Sequence, residues 1–186
     1  FSAASKIHML SEQVAVSFGT AMATYAGQNY GAGKAGRVRE GLRKCALACE
    51  AITLGIMVIM TAFGGVMSSW FIDGYHPEVI QQAHLYLFIS ALFYPALTML
   101  FLYRNTLLGL GNGVTPMLAG VCELLSRMIG APVLGHFFGF TGLCWINPIA
   151  WVTASGLLFL SYRKTMRNIR SVDPTEDASD SNKTMN

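Results

Sequence analysis

Charge disappears from four long blocks of this chain, and mainly apolar residues fill them. None of Asp, Glu, Lys or Arg occurs in residues 13–33, 51–72, 85–103 or 128–162. A helix that crosses the hydrocarbon core of a bilayer needs about 20 mainly apolar residues, so each block is long enough. Five spans follow, at about 7–30, 39–71, 79–107, 115–135 and 142–162. The breaks between them have turn chemistry. Gly31, Gly33 and Gly36 end the first span, since glycine enters left-handed backbone freely. Asp73 to Glu78 make a polar turn in which Pro77 can start the third helix. Gly109, Gly111, Asn112 and Gly113 precede the fourth span, and Gly135 to Gly142 separate it from the fifth. Pro95, Pro132 and Pro148 fall inside spans, where neighbouring helices and water re-satisfy the freed carbonyls. Each predicts a kink.

Composition then excludes the soluble alternative. Charged residues make up 12% of the chain, about half the share usual in a globular domain. The fold class expected is all-α, a polytopic membrane helical bundle. Residues 1–165 form the membrane domain and 166–186 a polar, largely disordered tail. The net charge of +3 does not point to nucleic acid. Its cations gather at span ends, between Lys34 and Lys44 and between Arg163 and Arg170, with no interleaved aromatic face. Loop one-to-two and the tail carry cations and Arg104 stands just before loop three-to-four, whereas the other loops have none. The positive-inside rule therefore places the C-terminus in the cytoplasm of a cell-membrane protein.

Ionisable groups inside a bilayer cost at least a few kcal/mol, which makes them functional candidates. Glu123 lies about 12 Å along the fourth helix from Thr115, and Arg127 follows one turn later on the same face. The pair reads either as the wall of a polar cavity or as a structural clamp. Glu12 either lines an outward cavity or snorkels. Glu50, about 9 Å beyond Lys44, could carry a proton or simply pack. Gln28, Asn29, Asn105 and Asn147 could line a pathway or join helices. Cys45, Cys49, Cys122 and Cys144 read as small apolar packing residues, and no metal site is expected. His8, His76, His84 and His136 are scattered, so no enzyme constellation emerges.

The run from Gly19 to Lys34, containing Gln28-Asn29-Tyr30-Gly31-Ala32-Gly33, resembles the multidrug and toxic compound extrusion (MATE) family. Asp73 to Val79, Leu107 to Asn112 with Thr115-Pro116, and Phe140 to Trp145 are similar to further motifs of that family, in the same order. The resemblance covers residues 1 to about 165. It implies that these five spans are the last five of twelve, part of one lobe of a two-lobe transporter, with seven amino-terminal helices missing. The first residue, Phe1, is no initiator and suits that expectation. It also implies efflux of small amphipathic or cationic organic compounds by antiport, with H⁺ or Na⁺ as coupling ion, membrane lipid as surroundings and no other cofactor. A flippase for lipid-linked oligosaccharides and a non-transporting scaffold are the alternatives. Two departures stand out. Leu108 and Asn112 replace a family arginine and aspartate, and Asn105 falls where one branch carries a membrane aspartate.

Overall fold

A computed structural model of the chain describes residues 2–69 and 77–172. The helices are α1 (Ser2–Gly31), α2 (Ala35–Ser69), α3 (Pro77–Leu92), α4 (Tyr94–Gly109) and α5 (Val114–Val172). No strand occurs among the described residues. Most of the polar turn at Asp73 to Glu78, and the tail beyond Val172, lie outside the described residues. Helix α5 runs through residues 166–172, which the sequence reading assigned to the tail.

Two helix ends share one geometry. After α1, Lys34 N donates to Asn29 O at 2.8 Å and Gly33 N to Tyr30 O at 3.0 Å, with φ of Gly33 at 70°. After α4, Asn112 N donates to Leu107 O at 2.9 Å and Gly111 N to Leu108 O at 3.0 Å, with φ of Gly111 at 80°. This is the glycine-terminated cap that satisfies the last carbonyls of a helix. Gly36 is already inside α2. Asn112 then starts the next helix, its Oδ1 accepting from Thr115 N at 3.3 Å and from Thr115 Oγ1 at 3.2 Å. Asparagine caps as well as aspartate, so the departure from the family pattern at this position leaves the turn intact.

One break falls where a proline predicts it, in the turn before Pro95, and one falls away from the prolines. The expected third span is two helices, α3 and α4, bent by 51° at Phe93. Pro95 occupies the first turn of α4, where a missing N–H costs nothing. Pro132 and Pro148 stay within α5, whose backbone leaves helical angles at Gly139 instead (φ 58°, ψ −139°). That glycine reverses the chain. Ser161 Oγ donates to Thr115 Oγ1 at 2.9 Å and Asn112 Nδ2 to Thr165 Oγ1 at 3.5 Å, contacts that an unbent helix could not make. Helix α5 is therefore a hairpin of two arms, 114–138 and 140–172, which cover the expected fourth and fifth spans.

Close backbone approach joins α1 to α4. Ala15, Gly19, Ala23 and Gly27 recur every four residues along one face of α1. A Cβ on Gly19 would lie 2.6 Å from Asn105 Nδ2, one on Gly27 3.3 Å from Gly109 O, and one on Gly109 would strike the carbonyl of Ala23. Small residues at such spacing let membrane helices pack without a hydrophobic driving force. The contacts advance together along both helices, so α1 and α4 run parallel. Helix α2 runs against them, with the Thr53 and Thr98 hydroxyls 3.1 Å apart in the core and His84 Nε2 3.3 Å from Thr61 O. The second arm runs parallel to α3–α4 through Tyr86–Asn147, Phe93–Trp145 and Tyr103–Tyr162. It follows that the ends of α1, α4 and the second arm lie at one end of the bundle. Lys34, Arg37, Arg39, Arg163, Lys164 and Arg167 gather there.

The outer faces are apolar. Leu47, Leu54, Val58 and Phe63 of α2 are exposed, as are Leu118, Val121, Leu125 and Met128 of the first arm. A soluble protein rarely shows so wide an apolar surface. By length and composition α2 and α5 can each cross a membrane, and α3 with α4 can do so as one bent unit. The chain is an all-α membrane helical bundle.

A buried charge cluster as the candidate functional site

From Val79 to Tyr162 the charged residues of the sequence are Arg104, Glu123 and Arg127, and the fold brings all three together. Glu123 rises from the first arm toward α4. Arg104 Nη2 donates to its Oε1 in a close ion pair, and Arg127 Nη2 lies 3.6 Å from its Oε2. The side chains of Glu123, Arg104 and Arg127 are 12%, 24% and 47% exposed. The sequence reading paired Glu123 with Arg127, and the structure adds a partner to that pair. Glu123 has two cations, and the nearer one comes from another helix. Arg127 is beyond hydrogen-bond length and holds its acid by charge alone. Arg104 also lies 6.0 Å from the centre of the Phe101 ring, and its buried Nε has no hydrogen-bond partner.

A second carboxylate lies within electrostatic range of the cluster, with no ion pair of its own among the described residues. Glu12, half-buried on α1, feels the charges of both Arg127 and Glu123. It also acts on the Tyr86 hydroxyl of α3, to which Asn147 of the second arm donates at 3.4 Å. Polar groups of α1, α3, α4 and α5 thus lie within the apolar bundle. The formal charges of Arg104, Arg127, Glu123 and Glu12 cancel.

The remaining candidates do not join it. Asn105 is spent on its own helix, donating to Phe101 O at 2.9 Å while packed on Gly19. It serves the α1–α4 contact. Gln28 is exposed near the end of α1, and its neighbour Asn29 donates to Tyr25 O at 2.9 Å. Glu50 is half-buried on α2 and has no ion pair among the described residues. Glu40 and Lys44, 2.6 Å apart, form a solvent-exposed pair at the basic end. Cys49 and Cys144 are buried in the core.

Arg104 and Tyr86 are the participants the sequence reading missed. For Arg104 a signal existed. With one acid and two cations in more than eighty residues, and each costly alone in a membrane, all three had reason to meet. Nothing in the pattern marked Tyr86.

The sequence model of the MatE family matches residues 1–133, from α1 to late in the first arm of α5. The chain belongs to the MatE family. No curated protein and no solved structure matches it. MatE proteins are membrane transporters, and the stretch matched contains Glu12, Arg104, Glu123 and Arg127. The bundle described above is thus that of an integral membrane protein of a transporter family.

Proposed function

We propose that this MatE chain is part of one lobe of a secondary active efflux transporter that exports amphipathic, often cationic, organic compounds in exchange for H⁺ or Na⁺. The observation that carries the reading is a charge cluster set among membrane helices of a MatE protein. Glu123 and Glu12 share a site with two arginines, so proton or cation binding at either acid changes the net charge and the attraction between helices. Alternating access then needs a second lobe, supplied by seven further helices, against which this one rocks. The basic end of the bundle faces the cytoplasm in this reading, by the positive-inside rule.

The two arginines give a second reading some weight, since a basic site suits the anionic diphosphate of a lipid-linked oligosaccharide. Glu12 weighs against it, because it brings the cluster to neutrality. Transport decides between them. The chain together with its second lobe, reconstituted in vesicles, is expected to move a cationic dye such as ethidium against its gradient when a H⁺ or Na⁺ gradient is imposed. The chain by itself is expected to move none. Transfer of a lipid-linked anion between leaflets, with no gradient-driven dye movement, would replace the efflux reading with the flippase one.

A further inference from the structure

The basic end of the bundle is poor in acids of its own. Lys34, Arg37 and Arg39 stand on the turn into α2 and on its first turns, and Arg163, Lys164 and Arg167 stand toward the end of the second arm. All six are exposed, and none has an ion pair among the described residues. The acid beside them, Glu40, is already paired with Lys44 at 2.6 Å. Like charges gathered in this way repel one another, and a counter-charge from outside the packed helices relieves the repulsion. Residues 173–186 carry one. They follow directly on the second arm, so they are tethered at the basic end itself. Asp173, Glu176, Asp177 and Asp180 there outweigh a single cation, Lys183. The four acids fall at i, i+3, i+4 and i+7, which puts them on one face of a helix. The same stretch opens with a helix-start pattern, Asp173 at the cap, Pro174 at the first helical position and Glu176 at the third. Pro174 also disfavours a helical Asp173, so a bend is favoured between the arm and this stretch.

We propose that residues 173–186 fold back on the basic end of the bundle, where their acidic face bridges the second arm to the start of α2. The reach suffices. Extended, the stretch from Asp173 to Asp180 spans about 26 Å, and wound as a helix about 12 Å. Helices α2 and α5 are in contact, and packed helices lie about 8–10 Å apart. Each ion pair in such a contact is exposed and weak alone. The tether makes the set effective, because docking becomes an intramolecular step. Salt weakens it, since every charge involved faces solvent. Anionic lipid headgroups are the competing occupant of the same cations. The tail is favoured over them because it is joined to the site and offers its acids to two elements at once. The contact straps together the first turns of α2 and the end of the second arm. Neither the orientation in the membrane nor the transport reading enters the argument.

Pulsed electron spin resonance on the transporter in phosphatidylcholine nanodiscs tests it, with spin labels on cysteines replacing Ala32 and Ser179 in a cysteine-free background. At about 0.05 M salt a narrow distance distribution centred below about 25 Å is expected. At about 1 M, where the Debye length falls to about 3 Å, the distribution should broaden and move outward. The fourfold variant Asp173→Asn, Glu176→Gln, Asp177→Asn, Asp180→Asn should give the broad form at both salt levels. Arg163→Gln with Arg167→Gln should broaden it as well, and all six positions lie outside the packed core, so folding is not at stake. A broad distribution at low salt in the unsubstituted tail would overturn the proposal. A narrow one that survives both high salt and the four amides would do the same, since something other than charge would then hold the tail. Loss of the narrow form once phosphatidylglycerol is added to the nanodiscs would make lipid headgroups the occupant and likewise refute it. The measurement requires no transport, so either result leaves the efflux reading to its own test.

Discussion

Arg104 and Glu123, nineteen positions apart, form an ion pair that ties α4 to the first arm of α5. Removing one partner of a buried pair strands the other charge, at a cost of about 3–5 kcal/mol when burial is complete. Both side chains here keep some exposure, so Arg104→Met or Glu123→Gln is expected to cost up to about 3 kcal/mol, the low end of that range. The double substitution should recover most of the loss. Arg127→Met, at a half-exposed site, should cost less than about 1 kcal/mol. Thermal unfolding in detergent across this set checks the order, and simple additivity of the double mutant would refute the pairing.

The seam between α1 and α4 predicts a ranking among glycines. A Cβ on Gly109 meets the rigid carbonyl of Ala23, whereas one on Gly19 meets the movable amide of Asn105 and one on Gly120 meets nothing within 4 Å. Gly109→Ala is therefore expected to destabilise by about 1–3 kcal/mol, and Gly19→Ala by less. Gly120→Ala should be neutral, or stabilising by up to about 1 kcal/mol through lower chain entropy. The yield of folded protein and its melting midpoint give the order. Equal effects at Gly109 and Gly120 would mean that the two helices do not touch there.

The reversal at Gly139 can be tested by cross-linking. Cysteines replacing Thr115 and Ser161, in a background without the native four, should form a disulfide under mild oxidation because the native hydroxyls are 2.9 Å apart. In one straight helix these positions would lie roughly 70 Å apart. Gly139→Ala imposes a backbone costing about 1–3 kcal/mol for any residue with a Cβ, and it should lower the cross-linking yield.

Orientation in the membrane follows from the basic end. Cysteine at Lys34 should resist an impermeant external thiol reagent in intact cells, and cysteine at His136, an exposed position beside the reversal, should react. The opposite labelling would turn the bundle over.

How far the sequence reaches is best seen at the charges. The charge-free blocks announced a membrane bundle, because the cost of an unpaired charge in hydrocarbon excludes Asp, Glu, Lys and Arg wherever a helix meets lipid. The same cost made Glu123 and Arg127 conspicuous, and their one-turn spacing placed them on one face without any structure. Their arrangement was not legible. Arg104 sits beyond a glycine turn and on another helix, and local spacing carries no information about which helix faces pack. The surroundings of Glu12 and Tyr86 were not legible for the same reason.

Local chemistry therefore determined the helices, most of the breaks and the class of the protein, through hydrophobicity, glycine turns and the alternation of cations. Tertiary structure decided the partners. It showed that α1 and α4 run parallel at close approach, that the chain reverses at Gly139, and that Arg104 of another helix holds Glu123 more closely than Arg127 does. The physical reason lies in the range of the forces. Turn preference and hydropathy act over a few neighbouring residues and leave a mark in sequence. A salt bridge between helices depends on which faces meet, and that is settled by the packing of the whole bundle.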